Sequence, residues 1–148
     1  MYRELCRPIH LFLVEDNLAD AKLLEFALQE GQAKYQLSLA LDGQQALEYL
    51  QAEQNCPDLI LLDLNLPRLN GHQVLQALKA DPRLRAIPVV VLTSSRDPAD
   101  ILQAYGQGAS SYLAKPVSLD ETLKLVRTME HYWLDLALLP ALPRTHPR

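Results

Sequence analysis

Five apolar stretches of this chain each stop at a polar residue and hand over to a helix-start signal, an alternation that leaves few folds open. The stretches are Ile9 to Val14, Tyr35 to Leu41, Leu59 to Leu62, Pro88 to Leu92 and Ser111 to Ala114. After them come Asn17, Asp42, Asn70, Asp97 and Ser118, whose short side chains suit the N-cap of a helix. Asp97 is followed by Pro98 at the favoured first position, and Asp100 in the first turn complements the helix dipole. Ser118 and Glu121 form the clearest capping box. Gly31 is placed to stop the first helix, and Gly106 or Gly108 the fourth. Strands and helices alternating in this way predict an α/β fold with a parallel sheet.

The strands differ in a way that orders them. Runs one, three and four are almost wholly apolar, as parallel strands covered on both faces must be. The second alternates, which marks an edge strand, and the fifth is short, which is one way to manage an edge. Central strands one, three and four with edges two and five give the order 2-1-3-4-5. That is a flavodoxin-like (βα)5 doubly wound sheet, with right-handed crossovers placing helices on both faces.

The length of 148 residues suits one domain. We divide the chain into an N-terminal extension (1–8), the α/β domain (9–132) and an apolar C-terminal tail (133–148), which is too short for an effector domain. Fourteen Lys and Arg against eighteen Asp and Glu give a net charge of −4. That balance argues against a nucleic-acid surface. No apolar run approaches the roughly 20 residues of a membrane span, and no signal peptide opens the chain. Cys6 and Cys56 match no metal or redox spacing, so a cytoplasmic protein is the expectation.

The chemistry lies where the strands stop. In a parallel sheet the carboxyl ends of the strands share one edge, and ligands bind there. Glu15 and Asp16 follow the first strand, Asp63 the third, Thr93 the fourth and Lys115 the fifth. Neighbouring strands lie about 4.8 Å apart, so Asp16 and Asp63 can face one ion. Oxygen ligands on a hard cation point to Mg²⁺, with the Asn65 carbonyl placed to complete its shell. Asp63 is the best nucleophile, giving an aspartyl phosphate, while Lys115 pairs with phosphoryl oxygens and Thr93 donates to one of them. Asp58, at the start of the third strand, is about 16 Å from Asp63 and cannot share the site. His10, His72, His131 and His146 show no ligand spacing and are assigned structural or surface roles.

Ile101 and Tyr105 share a face of the fourth helix. Trp133, Leu134, Leu136, Leu138 and Leu139 are too many apolar groups to leave in water without purpose. They either fold back on their own domain or meet a second copy; homodimerisation through the tail with the fourth and fifth helices is the favoured reading.

Over residues 8 to 132 the chain resembles a response-regulator receiver domain of two-component signalling. The likeness rests on Val14-Glu15-Asp16-Asn17, on Leu61-Leu62-Asp63-Leu64-Asn65-Leu66-Pro67 with Asn70-Gly71, on Val91-Leu92-Thr93-Ser94, and on Lys115-Pro116. It implies phosphotransfer from a sensor histidine kinase to Asp63, with Mg²⁺ on Asp16, Asp63 and the Asn65 carbonyl. Glu15 stands where the family more often has Asp, and its longer side chain would reach the metal through water. A switch is also implied, in which Thr93 moves towards the phosphoryl group and Tyr112 turns inward behind it. Lys115–Pro116 is cis in many relatives, Ser94 leaves room for the phosphate, and Asn65 and Ser95 stand where relatives tune hydrolysis. A narrower likeness, at Asp63 to Pro67, Ile87 to Thr93 and His131 to Pro140, is to small stand-alone regulators of bacterial phytochrome kinases. Such a protein is not an enzyme in the usual sense, although it catalyses its own phosphorylation and dephosphorylation. Two other readings stand beside it. One is a receiver-like scaffold that works without phosphorylation. The other is an aspartyl-phosphate phosphatase, which would want a second Asp where Asn65 stands.

Overall fold

The computed structural model describes residues 8–140, so Cys6, His146 and the Arg-rich end of the tail lie outside the described residues. Five strands, β1 (Ile9–Val14), β2 (Tyr35–Ala40), β3 (Leu59–Leu62), β4 (Val89–Thr93) and β5 (Ser111–Ala114), form one parallel sheet in the order β2-β1-β3-β4-β5. The helices between and after them are α1 (Leu18–Gln29), α2 (Gly43–Gln51), α3 (Gly71–Ala80), α4 (Pro98–Gly106) and α5 (Leu119–Met129). Flavodoxin-like topology and strand order are as the sequence predicts. Three boundaries move by one residue: β2 stops at Ala40, and β4 starts after Pro88 and includes Thr93.

Alternation along the central strands builds two core layers. Phe12, Val14, Ile60, Leu62, Val89 and Val91 face α2, α3 and α4, meeting Ala46, Leu50, Val74, Leu75, Leu78 and Ala104. Leu11, Leu13, Leu59, Leu61 and Val90 face α1 and α5, meeting Ala21, Leu24, Leu28, Val126 and Met129. Both edge strands are only partly covered, as their composition implies.

The five N-caps accept backbone N–H groups as expected, but the full reciprocal capping box is at Asn70 and Gln73. At α5, Ser118 accepts the Glu121 amide, while the Glu121 carboxylate takes the amide of Val117 instead of Ser118. The expected box there is half formed, because the Glu side chain reaches one residue further back. α1 gives way to Gly31 through the C-cap Glu30, and Gly108, at φ +102°, supplies the left-handed turn after α4.

α5 ends at Met129 without a break in the helical path. It runs into a π-helical stretch, Glu130–Leu136, which carries Trp133 back onto the α1/α5 core layer. Glu130 anchors this turn. Its buried carboxylate accepts the amides of Gln32 (3.1 Å) and Ala33 (3.2 Å) and the Tyr35 hydroxyl (2.7 Å). Burial, and then the bond to Glu130, push the Tyr35 hydroxyl above its ordinary range. Among the described residues no helix is long and apolar enough to cross a membrane.

Candidate functional site

Backbone bonds carry the sheet one residue past its strands and fix the polar groups there. The amide of Glu15 donates to the Ala40 carbonyl (3.0 Å), that of Asp63 to Val14 (3.1 Å) and that of Lys115 to Thr93 (2.9 Å). Three of the predicted site residues are thereby held as an extension of the ladder. α3 closes the floor: a side chain at Gly71 would run into the Asp63 carbonyl, so only glycine lets the helix start so close.

The side chains converge on Lys115. Its ammonium lies 2.7 Å from Glu15 Oε1, 2.8 Å from Asp63 Oδ2 and 3.0 Å from Asp20 Oδ2. The second oxygens are also engaged, Glu15 Oε2 by the Asn17 amide at 3.0 Å and Asp63 Oδ1 by the Asn65 amide at 3.1 Å. Burial alone would lower the Lys115 pKa, but hydrogen bonds to Asp63, Glu15 and Asp20 outweigh it and hold the group above its ordinary range. Burial raises Glu15 to about 7, against the lowering pull of Lys115 and the Asn17 amide, and the Asp63 charge adds to the rise.

Glu15 and Asp63 are buried and Asp16 is exposed at the rim, yet one oxygen from each lies within 4.8 Å of the others. An all-oxygen donor set with more anions than cations fits a hard divalent ion. The Thr93 hydroxyl beside it is fully buried and has no hydrogen-bond partner among the described residues. Such a group is rare in a folded protein.

The other predicted residues fall as follows. Tyr112 is half-buried against the α2–α4 core layer, and its hydroxyl donates to the Ser95 carbonyl at 2.9 Å, so the ring already lies inward. The expected cis form of Lys115–Pro116 is not found, since no described peptide bond is cis. Asn65 and Ser94 are exposed. Ile101 is half-buried, and the Tyr105 hydroxyl accepts the Tyr112 amide at 3.1 Å. Trp133 folds back on its own domain, whereas Leu136 and Leu138 are left 61% and 81% exposed. His72 bridges Asp100 (3.2 Å) and Gln107 (3.0 Å), and His10 is bonded to Ser38 and Tyr49. Asp20 is the site residue that sequence reasoning passed over; its signal was an acid in the first turn of the helix that leaves Asp16.

Residues 11–127 match the family model for the response regulator receiver domain. The response regulator Rcp1 of Synechocystis sp. is 39% identical over 139 residues, spanning 90% of this chain and 95% of that protein. The probable methanogenesis regulatory protein FilR2 of Methanothrix harundinacea is 40% identical over 131 residues, spanning 86% of this chain and 84% of FilR2. The structure of the phosphorylated cyanobacterial phytochrome response regulator RcpA superposes with a TM-score of 0.86 at 39% identity, covering 91% of this chain and all of RcpA. A Mn²⁺-bound form of Rcp1 gives 0.82 at 38% identity, covering 90% of this chain and all of Rcp1. Receiver domains bind Mg²⁺ or Mn²⁺ at an acidic pocket, and those of phytochrome response regulators partner with histidine kinases. With the strand order, the acidic edge and the matched span in agreement, this chain belongs to the response-regulator receiver family, whose function is to accept a phosphoryl group.

Proposed function

We propose that Asp63 is the phosphoacceptor. The observation that carries the reading is the pairing of the Asp63 carboxylate with Lys115 beside the unpartnered hydroxyl of Thr93. An Asp63 oxygen attacks the phosphorus of the donor. The bond from phosphorus to the donor breaks, and its electron pair leaves with the kinase histidine or small leaving group. Negative charge then moves outward onto phosphoryl oxygens, where Lys115 can follow it and Thr93 can donate. Asp16, Asp63 and the Asn65 carbonyl would hold Mg²⁺, with Glu15 reaching it through water. When bound, the ion offsets the charge of the acids and of the incoming phosphoryl group. The chain is no enzyme in the usual sense; its autocatalysis is confined to its own phosphorylation and dephosphorylation.

The donor we assign is a sensor histidine kinase, specifically a phytochrome, in keeping with the likeness to the cyanobacterial phytochrome response regulator RcpA, and we place the exchange in the cytoplasm. We further propose a homodimer through α4, α5 and the tail. Leu102, Tyr105, Leu136 and Leu138 remain exposed on those elements, and a second copy would take them out of water. Native mass measurement with and without phosphodonor tests this assembly. The site itself is tested by labelling the full chain with acetyl phosphate. Label should require Mg²⁺ and disappear in Asp63→Asn; equal labelling of that variant would remove Asp63 from the role.

A further inference from the structure

Ser95 lies two residues beyond Thr93 and is tied on three sides. Its hydroxyl donates to Asp100 Oδ2 at 2.6 Å and accepts the Asp97 amide at 3.3 Å, while its carbonyl accepts the Tyr112 hydroxyl at 2.9 Å. The other oxygen of Asp100 meets His72 Nε2 at 3.2 Å, and His72 Nδ1 faces Gln107 at 3.0 Å. The His72 side chain is 13% exposed. A continuous path of bonds therefore runs from α3 through α4 to the loop after Thr93 and on to β5. Both ends abut the site: Gly71, next to His72, packs on the Asp63 carbonyl, and Tyr112 precedes Lys115 by three residues.

An acid in the first turn of a helix needs no partner to serve the dipole, so Asp100 could be only that. Its surroundings say more, because both oxygens are taken by side chains from two other elements. The bond from Ser95, then that from His72, hold its carboxyl below the usual range. The bond to Ser95 is short, as a hydroxyl on an ionised carboxylate should be.

We propose that Asp100 is a positioning residue for phosphoryl acceptance: it latches Ser95, and so fixes the loop into which Thr93, the last residue of β4, leads. The inference rests on the reading of Asp63 as acceptor. Catalysis by placed donors works only if they do not have to be reorganised at the moment of reaction. A loop fixed at Ser95 supplies that order two residues from the donor.

The test uses the full chain, acetyl phosphate and Mg²⁺. Asp100→Ala should slow initial labelling about tenfold, the lower end of the scale of one charge-assisted hydrogen bond. Asp100→Asn removes the charge but keeps an oxygen for Ser95, and should restore most of the rate. Ser95→Ala should match Asp100→Ala, and the double variant should be no slower than either, since both remove one bond. Amide hydrogen exchange at residues 95–97 should quicken in the two alanine variants and not in Asp100→Asn. Wild-type labelling in Asp100→Ala, equal slowing in Asp100→Asn, or additive slowing in the double variant would each overturn the latch. A wild-type chain that takes no label at all would instead overturn the Asp63 reading and the latch's purpose with it.

Discussion

Towards the amino edge of the sheet, His10, Ser38 and Tyr49 close a triangle of hydrogen bonds of 3.0, 2.9 and 2.9 Å, and Asp58 accepts the His10 amide at 2.8 Å. At the carboxyl edge, Glu15, Asp20 and Asp63 share one ammonium, and the Thr93 hydroxyl has no partner among the described residues. Both groups sit on or beside the same strands and both are largely buried. At the amino edge each polar atom answers another, so burial adds to folding. At the carboxyl edge, like charges are crowded and a hydroxyl is left over, so burial works against folding until a ligand arrives. On the proposed function, the contrast separates polar groups kept for the fold from those kept for phosphoryl acceptance.

The contrast is easiest to break at Lys115. Lys115→Ala leaves Glu15 and Asp63 facing each other without their shared cation, and removing one member of such a buried set is expected to destabilise by about 3 kcal/mol without metal. Urea unfolding in chelator should show it, and added Mg²⁺ should recover part of the loss. Labelling should fall about 100-fold, the usual scale for a lost transition-state donor. A variant as stable as wild type in chelator would mean that the acids do not repel as crowded charges should.

Thr93→Val tests the same edge with the opposite sign. An unsatisfied buried hydroxyl costs about 1–3 kcal/mol, so replacing it by a methyl should stabilise the chain by about 1 kcal/mol. Labelling should meanwhile slow about tenfold, because a phosphoryl oxygen loses its donor. A variant that is both less stable and normally labelled would show that the hydroxyl serves the fold after all.

How far these edges could be read beforehand follows from what a linear pattern contains. Strand ends and helix caps are local, so Glu15, Asp63, Thr93 and Lys115 could be placed on one edge from apolar runs alone. Contacts that depend on where a helix side chain points across a long sequence gap could not. Asp20 reaching Lys115, Glu130 capping the turn at Gln32 and Ala33, and Asp100 meeting His72 each need the packed helix to exist first. Which of the tail's apolar groups meets its own domain was hidden for the same reason. Its leucines read as unpartnered, while the π-helical stretch turns Trp133 back onto α1 and α5 and leaves Leu136 and Leu138 outside. His72 had no ligand spacing because its partners lie on another helix, 28 and 35 residues away.

The smallest effect belongs to the edge that is already satisfied. Tyr49→Phe removes one corner of the triangle but leaves the Ser38–His10 bond and the ring, which stacks on Phe12 with centroids 4.5 Å apart. The loss should be about 1 kcal/mol, the net worth of an ordinary hydrogen bond, because the remaining pair can still serve each other. Chemical unfolding measures that loss, and acetyl phosphate labelling should be unchanged, since Tyr49 reaches the carboxyl edge only through Phe12 and the apolar layer. A slowed labelling rate at unchanged stability would join the two edges into one system, and the division between groups kept for the fold and groups kept for the function would have to be redrawn along β1.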